Sequence, residues 1–151
     1  MSSLVMDDNF SFNSILVPYN STSGAKRGLR AAIDLAEKIN GEVTLITCIE
    51  TTSLEALFNK NKKDEFENKK EVIQKELENI EYDTKKLKNP LKHVILKSSF
   101  APNTIAEYAE ENKIELVVIG QTKIIPTEEK YHESMTNYLM RGLTCPVLIV
   151  K

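Results

Sequence analysis

The chain has no apolar run that approaches the roughly 18 residues a membrane span requires. Its first residues carry Asp7 and Asp8 and no apolar stretch of signal-peptide length, so neither a span nor secretion is expected. Cysteine is scarce. Cys48 and Cys145 are the only two in 151 residues, too few for a disulfide framework and suited to a reducing cytosol. Neither sign of charge dominates, with 20 Lys and Arg against 22 Asp and Glu and a formal net charge of -2. That balance argues against a general attraction to nucleic acid or anionic lipid. Catalytic signatures are missing too: there is no Gly-x-Ser-x-Gly elbow, Walker loop or Gly-x-Gly-x-x-Gly. His93 and His132 lie far apart in sequence without a matching third metal ligand. Neither cysteine has a neighbouring Cys or an activating base, so both read as small apolar packing groups. What remains is a cytoplasmic, single-domain chain of ordinary composition, 41% hydrophobic and 28% charged.

Residues 1–13 are mostly small or polar and read as a flexible tail before a domain over 14–151. Ile15-Leu16-Val17, ended by Pro18, reads as a buried strand. The turn Asn20 to Gly24 is rich in candidate N-caps. Leu29, Ala32, Ile33, Ala36 and Ile39 then recur at helical spacing, which predicts a helix from about Ser23 to Ile39. Gly41 is the residue expected to take the left-handed stop. Val43 to Ile49 is a β-branched second strand. The mixed-charge stretch from Thr51 to Lys88 carries Phe66, Ile73, Leu77, Ile80 and Leu87 at gaps of seven, four, three and seven. That is the stripe of a solvated helix with one face on a sheet. Leu91 to Lys97 should be the third strand, and Pro102 opens a helix whose apolar side holds Ile105, Ala106 and Ala109. Leu116 to Ile119, ended by Gly120, is a fourth strand. Tyr131, Met135, Tyr138 and Leu139 form another helical stripe, stopped at Gly142, before a final strand over Pro146 to Val150. Met135 and Met140 read as core or interface filler.

The order βαβαβαβαβ predicts an α/β fold, with a parallel sheet covered on both faces. Right-handed crossovers wind it into a three-layer sandwich. Such sheets take ligands beyond the carboxyl ends of their strands, where the strand order reverses. Those ends are Pro18-Tyr19-Asn20, Cys48-Ile49-Glu50, Ser98-Ser99 and Gly120-Gln121-Thr122. Ser21-Thr22-Ser23-Gly24 has the composition to cup an anion at the first helix, although ordinary capping explains the same residues.

Three stretches recur in a specific order: Ile15-Leu16-Val17-Pro18 before a polar turn and helix, Glu115 to Gly120, and Cys145 to Val150, with Pro102 opening the helix between. In that arrangement the chain resembles the universal stress proteins, from about Ser14 to Lys151. The resemblance implies an adenine-nucleotide-binding sandwich of strand order 3-2-1-4-5. It also implies a homodimer paired through the last strand, at Val147, Leu148, Ile149 and Val150. An exposed apolar edge there would suit a partner strand, since unpaired backbone groups invite one.

Family members that bind ATP carry glycine, two residues, glycine, nine residues, then glycine followed by serine or threonine, from the end of the fourth strand. The glycines let backbone N–H groups approach the phosphates, and the hydroxyl adds a donor. Here those positions are Gly120, Lys123, Glu133 and Ser134. The spacing is kept and two of the three glycines are gone. Glu133 puts a carboxylate where a phosphate would lie, at a cost on the order of 1 kcal/mol or more. Thr127 followed by Glu128 and Glu129 looks like a cap and an acidic first turn, which leaves Ser134 in the second turn or beyond. N–H groups there are used inside the helix. On the adenine side, binders place an aspartate after Val-Pro-Val. The corresponding stretch here is Val17-Pro18-Tyr19-Asn20, in which an amide replaces the charge and Tyr19 fills space.

The nucleotide-contacting positions are then Pro18, Tyr19, Asn20, Cys48, Gly120, Lys123 and Ser134, with no catalytic residue and no metal. The expected protein is a non-enzymatic, homodimeric stress-response or signalling module with weak or lost ATP binding. It would act on an unidentified protein partner and touch neither nucleic acid nor membrane. ATP, AMP or a free base are the ligands to consider. The alternative is an ATP-binding member with slow hydrolysis, in which Lys123 and Ser134 hold phosphate. A third reading, a piece of an electron-transfer flavoprotein, is disfavoured by the short chain and the missing glycines.

Overall fold

The strands are apolar along their length because helices cover both faces of the sheet they build. A computed structural model describes residues 9–50, 60–83, 87–121 and 135–151. In chain order the elements are β1 (Ser14–Pro18), α1 (Ser23–Ile39), β2 (Glu42–Glu50), α2 (Lys60–Asp83), β3 (Lys92–Ser98), α3 (Ala101–Glu111), β4 (Leu116–Gly120), α4 (Met135–Gly142) and β5 (Val147–Val150). All pairings are parallel, and the five strands lie in the order β3-β2-β1-β4-β5. That is the order the resemblance implies. Ile15 of β1 stands opposite Val43 on one side and Leu116 on the other, so β1 is the central strand.

Alternation along the strands feeds two cores. Ile15, Val17, Val43, Leu45, Leu116 and Val118 face α1 and α2, where Leu29, Ala32, Ala36 and Leu77 meet them. Leu16, Ile46, Val117 and Ile119 face α3 and α4, where Ile105, Ala109 and Leu139 meet them. Full burial stabilises each such Leu or Ile side chain by about 1.5–3 kcal/mol. Among the described residues, no helix is long and apolar enough to cross a membrane.

Some local expectations need correction. α1 is stopped by Asn40, at φ 56°, and no described glycine has a positive φ, so Gly41 does not supply the left-handed residue. Asn tolerates that conformation because its short polar side chain finds local hydrogen bonds. Leu87 reaches the first core from outside α2. Tyr138, placed on an apolar stripe, is exposed and stacks edge-on against Phe100 at 5.0 Å, and Met140 lies outside the core. Most of the expected tail, residues 1–8, lies outside the described residues. Nearer the domain, the Ser11 hydroxyl donates to Glu115, and the Asn13 carbonyl accepts from Glu42 N–H at 2.7 Å.

Candidate functional site

The chain leaves β1 on one face of the sheet and arrives at β4 from the other, so the carboxyl ends of these two neighbours part and leave a crevice. The crevice measures about 240 Å³. Among the described residues its walls are mainly apolar, from Ile46, Ile105, Ile119 and Met135, with Asn20, Gln121 and Thr136 as polar points. Of the expected nucleotide positions, Pro18, Tyr19, Asn20, Cys48 and Gly120 converge on this cleft. Lys123 and Ser134 lie outside the described residues, as do Thr127, Glu128, Glu129, Tyr131, His132 and Glu133. Val147 to Val150 stand at the sheet's outer edge, with Leu148 42% exposed.

Tyr19 borders the cleft, but its side chain does not fill it. It continues the alternation of Ile15 and Val17, packs in the α1/α2 core and is 2% exposed. Its hydroxyl donates to Glu76 Oε1 on α2 at 2.6 Å, while the Ser21 hydroxyl donates to Oε2 at 2.7 Å. Lys26 Nζ stands 3.4 Å from the same carboxylate. The Tyr19 hydrogen bond, with those of Ser21 and Lys26, holds Glu76 below the ordinary carboxylate range against the opposing effect of burial. Burial and the adjacent Glu76 push the Tyr19 phenol well above its usual range. Glu76 was invisible among the carboxylates of the mixed-charge run.

The polar turn after β1 is spent on capping. Thr22 Oγ1 accepts from Ala25 N–H at 3.1 Å and donates to Asn20 Oδ1 at 2.7 Å. The anion beside Ser21 is the protein's own Glu76. At the other side of the cleft, Glu50 Oε1 accepts from Ala101 N–H at 3.3 Å, and Ser98 Oγ accepts from Phe100 N–H at 3.1 Å. Burial, with Glu50 adding, pushes the Cys48 thiol up to about 11, so it stands as a neutral wall group at physiological pH. His93, in β3, lies 3.4 Å from Thr47 Oγ1, and burial pulls its pKa down.

Gly120 has a packing duty that the sequence did not disclose. A Cβ there would lie 1.6 Å from the Gly24 carbonyl oxygen, and one at Gly28 would lie 2.7 Å from Gly120 N. Helix α1 therefore sits directly on the end of β4. Arg27 fastens the same place by donating to the Gln121 carbonyl at 2.8 Å. A signal was present: Gly inside a helix costs about 1 kcal/mol against Ala, which marks Gly28 as a close approach.

These features define a doubly wound α/β protein with a small-ligand crevice at its switch point. The chain belongs to the universal stress protein family, whose sequence model matches residues 11–151. It is 22% identical over 154 aligned positions to a universal stress protein of Methanocaldococcus jannaschii, covering 100% of this chain and 89% of that one. Among solved structures, UspA of Lactobacillus plantarum is similar, with TM-score 0.73 and 22% identity, covering 95% of this chain and 100% of the other. A universal stress protein of Archaeoglobus fulgidus solved in complex with dAMP has TM-score 0.61 and 17% identity, covering 91% and 97%.

Proposed function

We propose that this chain is a non-enzymatic stress-response or signalling module whose cleft takes an adenine compound and binds ATP weakly or not at all. The cleft at the β1/β4 switch point, apolar-walled with a few amide and hydroxyl groups, carries the reading, because that is the lining a flat base requires. A relative of the same fold is solved with dAMP, which supports the ligand class. Against the triphosphate stand Lys123 and Glu133 at two glycine positions of the phosphate motif. The module acts in the cytoplasm as a homodimer paired through β5, and its output is contact with a protein partner.

Calorimetric titration with ATP and magnesium, in a buffer free of phosphate, tests the reading. Silence up to millimolar ATP is expected, and Lys123→Gly with Glu133→Gly should then create or strengthen binding. A dissociation constant in the micromolar range would overturn it. The retained Gly120 and Ser134 favour the rival, an ATP-binding member with slow hydrolysis. In that case Ser134→Ala weakens the binding already present.

A further inference from the structure

Helices α1 and α2 lie on one face of the sheet, and α3 and α4 cover the other. Where neighbouring helices close on each other, side chains three and four positions apart interlock along the seam. Leu29 and Ile33 of α1 and Ile80 of α2 stand at that spacing, yet the seam stays open around a pocket of about 300 Å³. That is the lower end of the range of small-molecule sites, about 300–1,000 Å³. Leu29 is buried at its base, and Ile33 and Ile80 are half-buried. Lys26 and Arg30, one turn apart on α1, line it too. So does Glu76, but its charge is already answered. Tyr19 and Ser21 donate to it at 2.6 and 2.7 Å, and Lys26 stands 3.4 Å away. Among the described residues no carboxylate lies within ion-pair distance of Arg30, and Asp34, one turn further along α1, does not line the pocket. An apolar base is thus combined with one cation to spare.

We propose that this pocket is a second ligand site, which takes a small apolar carboxylate with its head on Arg30 and its body on Leu29, Ile33 and Ile80. It shares no described lining residue with the cleft at the β1/β4 switch point and does not depend on the adenine reading. A carboxylate suits Arg30 because the planar guanidinium can donate to both of its oxygens. A single negative charge is matched by that one cation, whereas a multiply charged anion would be repelled by Glu76. The apolar body gains by leaving water for the isoleucine and leucine side chains.

The test is titration of the full chain with octanoate and with octan-1-ol, which has the same chain length and no charge. Octanoate should bind one per chain with a dissociation constant below about 1 mM, and octanol about tenfold more weakly. Arg30→Gln, at an exposed position, should weaken octanoate about tenfold and leave octanol unmoved. Methyl NMR of the wild type should show octanoate shifting Leu29, Ile33 and Ile80. No saturation by octanoate, equal binding of octanoate and octanol, or an affinity unmoved by Arg30→Gln overturns the proposal. So do shifts confined to Ile46, Ile105 and Ile119, which would put octanoate in the cleft. If Arg30→Gln or Ile80→Lys instead turns a dimeric wild type into monomers, a second copy covers the pocket and the proposal falls.

Discussion

Replacing Gly120 with Ala separates packing from ligand chemistry at the one position that both claim. The added Cβ would stand 1.6 Å from the Gly24 oxygen, 2.4 Å from its carbonyl carbon and 2.9 Å from Gly28 N. All three atoms are helix backbone and cannot rotate away. Carbon–oxygen contacts settle at roughly 3.3 Å or beyond, so α1 must retreat by about 1.5–2 Å. The retreat withdraws Leu29, Ala32 and Ala36, each 3% exposed or less, from the core they fill. Overpacking costs about 1–3 kcal/mol where side chains can adjust, and a backbone obstacle puts this case at the upper end, near 3 kcal/mol. The entropy that Ala removes from the unfolded chain returns only about 0.4–1 kcal/mol. A net loss of about 2–3 kcal/mol lowers the melting temperature of a chain this long by roughly 4–12 °C. Urea unfolding followed by circular dichroism, without nucleotide, should show a lower midpoint at unchanged m. Gly142→Ala is the matched control, because its nearest new neighbour, Ala106 Cβ, lies at 3.7 Å. It should stay within about 0.5 kcal/mol of wild type. A Gly120→Ala protein as stable as wild type would refute the seating of α1 on β4.

Glu76→Gln should change the acid limb of stability. The folded carboxyl lies below its unfolded value of about 4.3, so its contribution is full above that pH and is lost as pH falls through the folded value. Wild type should therefore start more stable at neutral pH and lose stability faster below about pH 4.3 than the variant. Curves that run parallel through that range would show that the carboxylate is not held as described. Leu148→Lys places a charge on the exposed β5 edge, and light scattering should report monomers from a dimeric wild type with little change in melting temperature. A dimer that survives the substitution, or a monomeric wild type, removes β5 as the pairing edge.

Much of the architecture was legible because strands buried on both faces leave short unbroken apolar runs, and helices between them leave a period of 3.6. The place of the cleft followed from a general property of doubly wound sheets. Tyr19 was legible in principle: period two puts it on the face of Ile15 and Val17, away from the cleft wall formed by Pro18 and Asn20. Glu76 was not, since nothing local distinguishes it from the carboxylates around it and its partners come from the turn after β1 and from α1.

The left-handed stop at Asn40 shows how a boundary is decided by contacts outside the helix. Gly41 is needed one position later, where a Cβ would press on the Asn13 carbonyl at 3.3 Å. Glu50 is the instructive case. In sequence it is one more polar residue at a strand end. The β2/β3 register sets it opposite Ser98, the residue from which the chain turns into α3, and only that pairing brings its carboxylate to the helix terminus. Pattern along the chain locates a ligand cleft, whereas the partner that a polar side chain finds depends on register between segments distant in sequence. Glu50→Gln keeps an acceptor for Ala101 N–H and Glu50→Ala removes it, so thermal unfolding should separate the two by about 0.5–1.5 kcal/mol, and identical midpoints would refute the contact.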